Sequence, residues 1–340
     1  MQTRTPIVFG APDAASTDPP AAAMGITVRL RLLLPLLLPL LISLATADPL
    51  PLEIVPAKAV LVAQPDADGR KVWHTRFFRI DSDVALRPND LLRLAQVADT
   101  TATAVKAHPL PLFAPPEDGR PRIAIHANSS TYTEEGGVHG TAGMYIARRG
   151  LVLVLGEYLV RSPDAARSRL APRNDEDLVV HEIVHLCMHR TNAGLPQWLV
   201  EGLAEYFACA HAGAGRFSFG NMDQQVREHL RTRLSPDDPG IPLVPAADLI
   251  PLDGAGWLRY LEDLPTDERY QAYATSLLLA HQQLHGGKAR IDALREALES
   301  PRSNRRPVVL IDPVVAAATQ ESLVRYWKPK GLSLEFSTSR

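Results

Sequence analysis

Residues 181–185 read HEIVH, and no other feature of the 340-residue chain restricts its fold as much. Residues four apart on a helix lie on one face. His181 and His185 can therefore reach a single metal ion, while Glu182 addresses a water beside it. The pattern is short enough to arise by chance, so its meaning depends on a third ligand.

That ligand comes from residues 195–207, LPQWLVEGLAEYF. A helix ending near Arg190 runs about 7–8 Å past His185 at ~1.5 Å per residue. The stretch from Thr191 to Pro196 supplies a turn, and Pro196 suits the start of a new helix. Five residues of return then bring Glu201 level with His185. Two antiparallel helices packed ~8–10 Å apart would surround one ion with His181, His185 and Glu201. Two imidazoles and a carboxylate leave a fourth position open, as in catalytic zinc sites. Glu205, one turn further on the same face, is placed to accept the outer ring N–H of a ligand histidine. Periodicity alone fits a solvated surface glutamate equally well.

On these residues the chain resembles the gluzincin metallopeptidases of the peptidase MA-like group. Their H-E-x-x-H helix is followed by W-x-x-E-G-x-A-E, matched here by HEIVH and WLVEGLAEYF. The resemblance implies a Zn2+ ion on His181, His185 and Glu201, Glu182 as general base, and a peptide or protein substrate. It also implies a role for Tyr273, within RYQAYATSLLLAH, in stabilising the oxyanion; Tyr270 and His281 compete for that role. The specific match covers residues 174–210, and a looser one extends from 72 to about 300. The inter-ligand spacing is shorter than in thermolysin-like or aminopeptidase N-like members, and no G-A-M-E-N segment is present, so an endopeptidase is expected. Met188 and Thr191 stand where a metzincin has Gly and His, which excludes that family. The alternative is a noncatalytic peptide- or protein-binding module that keeps the zincin fold and its metal.

The rest of the chain predicts an α+β, zincin-like fold: a small mixed sheet with an edge strand over the HExxH helix, then a mainly helical C-terminal part. Strands are expected at 71–80, 121–127, 144–147 and 151–155, with a hairpin at Arg149-Gly150. Pro88 and apolar residues at Leu91, Ala95, Ala98, Ala102 and Val105 predict a helix over 88–107. Helices follow at 175–190, 196–210, 223–233, 267–285 and 288–299, with a weaker one near 317–327. This order of strands then helices argues against alternating βαβ units. The segment Gly143–Ala147 would be an edge strand against which an extended peptide could pair. His126 and His139 are expected in the sheet or a loop, and His189 at a helix C-terminus. The domains expected are an N-terminal extension with signal peptide (1–47), a metallopeptidase domain (48–300) and a C-terminal tail (301–340).

Residues 29–47, RLRLLLPLLLPLLISLATA, have the basic, apolar and Ala-x-Ala order of a secretory signal, with cleavage expected between Ala47 and Asp48. The apolar run is short of the ~20 residues a spanning helix needs and contains Pro35 and Pro39, so no stable membrane span is expected after cleavage. A secreted or periplasmic protein follows. A formal net charge of −2 offers no global field for nucleic acid. Cys187 and Cys209, the only cysteines, lie at opposite ends of the antiparallel helix pair and are expected to be free thiols.

Overall fold

The computed structural model describes residues 50–139, 141–159, 175–234, 240–299 and 308–338. The signal-peptide expectation falls on residues outside these. The described residues belong to one compact unit, Ala47–Arg340.

The first half builds a mixed sheet from β2 (Val62–Ala67), β3 (Arg70–His74), β4 (Arg79–Ser82), β5 (Arg122–His126), β6 (Gly143–Ile146) and β7 (Leu151–Leu155). A short β1 (Glu53–Ile54) precedes them. The strand order is β2-β3-β4-β5-β7-β6. β4, β5 and β7 run parallel, whereas β2, β3 and β6 pair antiparallel with their neighbours. The edge position expected for Gly143–Ala147 is thus occupied by β6. Gly150 closes its hairpin at φ 56°, a left-handed conformation suited to glycine.

Two expectations for this half of the chain need correction. Residues 71–80 form two antiparallel strands with a turn between them, because Thr75 Oγ1 and Asp99 accept the amides of the intervening residues. Thr75 Oγ1 takes the Phe78 amide at 2.9 Å, and Asp99 takes those of Arg76 and Phe77. Helix α1 (Pro88–Ala107) then links β4 to the parallel β5, so one alternating unit does occur. The apolar stripe of α1, including Leu91, Leu94, Ala98, Ala102 and Val105, is buried in the main core.

A short α2 (Ser129–Glu134) covers the other face of the sheet, where Tyr132 is packed with Leu151 and Leu153. The helical part comprises α3 (Asp175–Cys187), α4 (His189–Asn192), α5 (Gln197–Ala210), α6 (Met222–Leu234), α7 (Ala246–Leu249), α8 (Gly254–Asp263), α9 (Tyr270–His285), α10 (Lys288–Glu299) and α11 (Ala316–Trp327). Between them lie β8 (Phe217–Ser218), which pairs β1, and β9 (Gly240–Leu243).

The segment read as a tail is part of this fold. Trp327 at the end of α11 is fully buried, and β10 (Ser333–Phe336) pairs parallel with β9. Arg227 and Arg231 of α6 donate to the carbonyls of Lys330 and Gly331.

Helix α5 lies at the centre. From Trp198 to Ala210 every residue is buried, which its nearly continuous apolar sequence requires. Only Glu201 and Glu205 carry charge in that stretch, at 8% and 5% exposure. Burying a carboxylate is costly unless it is paired and hydrogen-bonded, so their partners decide whether α5 can sit there.

Candidate metal centre

The partners come from α3, which runs antiparallel to α5. Asp177 meets His211 just past α5, His181 meets Glu205, and His185 meets Glu201. Each four-residue step forward on α3 is a comparable step back along α5, as the helix-return argument requires.

His181 Nε2, His185 Nε2 and Glu201 Oε2 form a triangle with sides of 3.0, 3.3 and 3.4 Å. Ligand atoms around a tetrahedral ion with bonds of ~2.0–2.1 Å lie about 3.3–3.4 Å apart, so the donor set fits one small divalent cation. All three side chains are buried. Among the described residues this is the one group of three His, Cys, Asp or Glu side chains close enough to share an ion.

Two of the remaining polar atoms of the ligands have close partners. Gln197 Nε2 donates to Glu201 Oε1 at 2.7 Å, which leaves Oε2 for the triangle. Glu205 Oε1 lies 2.9 Å from His181 Nδ1, so Glu205 is a buried partner of a ligand histidine and not a surface residue. Glu205 Oε2 accepts from Tyr270 Oη at 2.8 Å and lies 3.0 Å from His229 Nε2. The buried histidines and carboxylates shift one another's titration. Burial alone would lower the pKa of His181, but Glu201 and Glu205 outweigh it and raise it to about 10. Burial would raise the Glu201 carboxyl, yet His185 and His181 hold it well below the usual carboxylate range. Metal binding would require the ligand nitrogens to give up their protons.

Glu182 is half-buried beside this group, and burial raises its pKa against the pull of His181 and His185. Its Oε2 accepts the backbone amide of Tyr145 in β6 at 2.6 Å, which ties it to the edge strand. The Tyr145 ring stacks on His185 at 5.6 Å, and its hydroxyl bonds His189 Nδ1 at 2.6 Å. His189 thus opens α4 and holds Tyr145, where a C-terminal position on a longer helix was expected.

Of the three oxyanion candidates, Tyr273 is the one whose ring packs on a ligand, edge-on to His181 at 5.9 Å. Its phenol is pushed well above its ordinary pKa by burial, then by the charges of Glu201 and Glu182, so it stays protonated. Tyr270 is engaged by Glu205 and His229. His281 lies two turns beyond Tyr273 on α9, with Nε2 3.0 Å from Asp223 and its ring stacked on His285. His126 is buried in β5, and His139 is exposed in a loop.

Gln197, Tyr145 and His229 were not anticipated. Gln197 alone had a local signal, its position four residues before Glu201 on the same helix face. Cys187 and Cys209 are both free and buried. Among the described residues no helix is long and apolar enough to cross a membrane. No protein-family model matches the chain, and no curated protein matches it.

Proposed function

We propose that the chain is an exported zinc-dependent metallopeptidase of zincin-like fold that hydrolyses peptide bonds within peptides or proteins. The observation that carries this reading is the convergence of His181, His185 and Glu201 beside Glu182, directly under an edge strand. Two imidazole nitrogens and one carboxylate oxygen suit zinc among the common divalent ions. When bound, such an ion would lower the pKa of a water and polarise the scissile carbonyl.

The chain's own residues supply the remaining functions. Glu182 takes the proton of the attacking water and later delivers it to the leaving amine nitrogen. Its contact with the Tyr145 amide holds the carboxylate beside the ligand histidines, where a base must stand. Tyr273, protonated and packed on His181, donates a hydrogen bond to the developing oxyanion.

Substrate would add to β6 as an extended strand. In an antiparallel pair successive residues face inward and outward in turn. Because the Tyr145 amide points away from β7, to Glu182, Gly143 also points outward. A peptide would therefore pair through Gly143 and the Tyr145 carbonyl. A Cβ at Gly143 would lie in ordinary contact, 3.5 Å, with Glu182 Cγ, so this outward-facing residue stands next to the base.

The test is turnover of a mixed peptide library by purified protein, compared with Glu182→Gln, together with metal analysis. Glu182→Gln should retain the metal and lose hydrolysis. Glu201→Ala should lose metal far more completely than Glu205→Ala. Peptide binding without turnover in the wild type would instead favour a noncatalytic binding module, and absence of metal would reject both readings.

A further inference from the structure

We propose that His229 and Tyr270 are positioning residues that set the metal affinity of the His181–His185–Glu201 group by locking Glu205. The inference rests on the metal-centre reading above and adds two residues that never touch the ion.

Glu205 has two oxygens, and each faces a different task. Oε1 lies 2.9 Å from His181 Nδ1, the ring atom through which an outer carboxylate orients a ligand histidine. Oε2 is held from behind by Tyr270 Oη at 2.8 Å and His229 Nε2 at 3.0 Å, and those two groups lie 2.8 Å from each other. A carboxylate held only by His181 could swing about its last side-chain bond. Held at both oxygens, it cannot turn without breaking three contacts.

The three side chains come from three helices. Glu205 lies on α5, His229 on α6 and Tyr270 on α9. The Arg233 guanidinium, one turn beyond His229, stands over the Tyr270 ring at 5.1 Å and reaches to 3.9 Å from Asp177 at the start of α3. Asp177 in turn bonds His211 at the end of α5. A closed circuit therefore binds the metal-bearing helix pair to α6 and α9. His229 is only 9% exposed at its side chain, so water does not readily replace it.

The test uses Zn2+ alone as the probe, with chelator competition on the full chain. Tyr270→Phe removes one hydroxyl and keeps the ring, and His229→Leu removes the imidazole. Each should raise the zinc dissociation constant several-fold, within the ~10-fold or more expected from losing Glu205, the outer partner of a ligand histidine. Each should also change the visible absorption of the Co2+-substituted protein, which responds to ligand geometry. In a Glu205→Gln background neither should have a further effect, because both act through that carboxylate.

If His229→Leu fails to fold by circular dichroism, Tyr270→Phe carries the test. Zinc affinity within about twofold of wild type in the folded variants would overturn the proposal, as would losses fully additive with Glu205→Gln. Those outcomes leave the metal centre standing. A wild-type chain that binds neither Zn2+ nor Co2+ overturns the metal centre and this inference together.

Discussion

Gln197 and Glu201, one turn apart on α5, are joined by a 2.7 Å hydrogen bond that assigns the two oxygens of the carboxylate to different tasks. Oε1 accepts from the amide, and Oε2 faces His181 and His185. Gln197→Leu keeps similar bulk and helix propensity but frees Glu201 to rotate. The expected outcome is a roughly tenfold weaker zinc affinity by chelator competition, with little change in secondary structure. Wild-type affinity would mean that the packing of α5 alone holds the carboxylate.

The parts of this arrangement that could be read from the sequence are those encoded within one or two neighbouring elements. HEIVH and the return to Glu201 depend only on helix rise and a short turn, and α1 announces itself through Pro88 and its apolar rhythm. What escaped depends on chain segments meeting in three dimensions. The break between β3 and β4 is enforced by Asp99, which lies in α1 and leaves no mark on residues 75–78. His229 and Tyr270 acquire their role only because α6 and α9 pack on α5. Residues 301–340 read as a tail because the strand among them, β10, pairs with β9, some ninety positions earlier.

His108 connects stability to pH. It is buried, its ring stands edge-on to Phe207 at 5.9 Å, and its Nδ1 accepts the Leu110 amide at 3.2 Å, which requires that nitrogen to be unprotonated. Burial, followed by the charges of His285 and Arg295, pushes its pKa down to about 4. An unfolded histidine titrates near ~6.5, so between these values the unfolded chain binds the extra proton. The contribution of His108 is therefore present at pH 7 and is lost as pH falls from about 6.5 to about 4, by up to about 3 kcal/mol. His108→Asn keeps an acceptor for Leu110 without titrating. Its stability from urea unfolding should fall less between pH 7 and pH 4.5 than that of the wild type. Parallel pH profiles would reject this account.

Gly202, next to the ligand Glu201, marks the closest approach of α5 to α9. A Cβ added there would lie 2.2 Å from the Ser276 carbonyl oxygen and 2.7 Å from Ala280 Cβ. Alanine is intrinsically better than glycine within a helix by ~1 kcal/mol. The obstacle here is backbone, which cannot rotate away as a long side chain can. Gly202→Ala should lose about 2 kcal/mol or more net and lower the thermal midpoint by several degrees. A higher midpoint, the result propensity alone would give, would show that the two helices are not in such close contact.

The cysteines test the helix register on which the metal centre depends. Asp177 pairs with His211, His181 with Glu205 and His185 with Glu201, so the two helices run in opposite directions with a fixed offset. Cys187 lies two residues beyond the Glu201 level on α3, and Cys209 eight residues beyond it on α5, in the opposite axial direction. At ~1.5 Å per residue they are separated by about 15 Å along the pair, well outside the ~7 Å that a disulfide spans between Cα atoms. Both thiols are buried, and burial pushes each well above the ordinary thiol pKa, so neither presents a reactive thiolate. An aromatic disulfide reagent at pH 8 should therefore react with neither in the folded protein and with both once guanidinium has unfolded it without reductant. Rapid labelling of the native chain would show that α3 and α5 open easily. Finding no thiol after unfolding, with a Cys187–Cys209 bridge by mass analysis, would put the two residues at the same level. Glu201 could then not face His185.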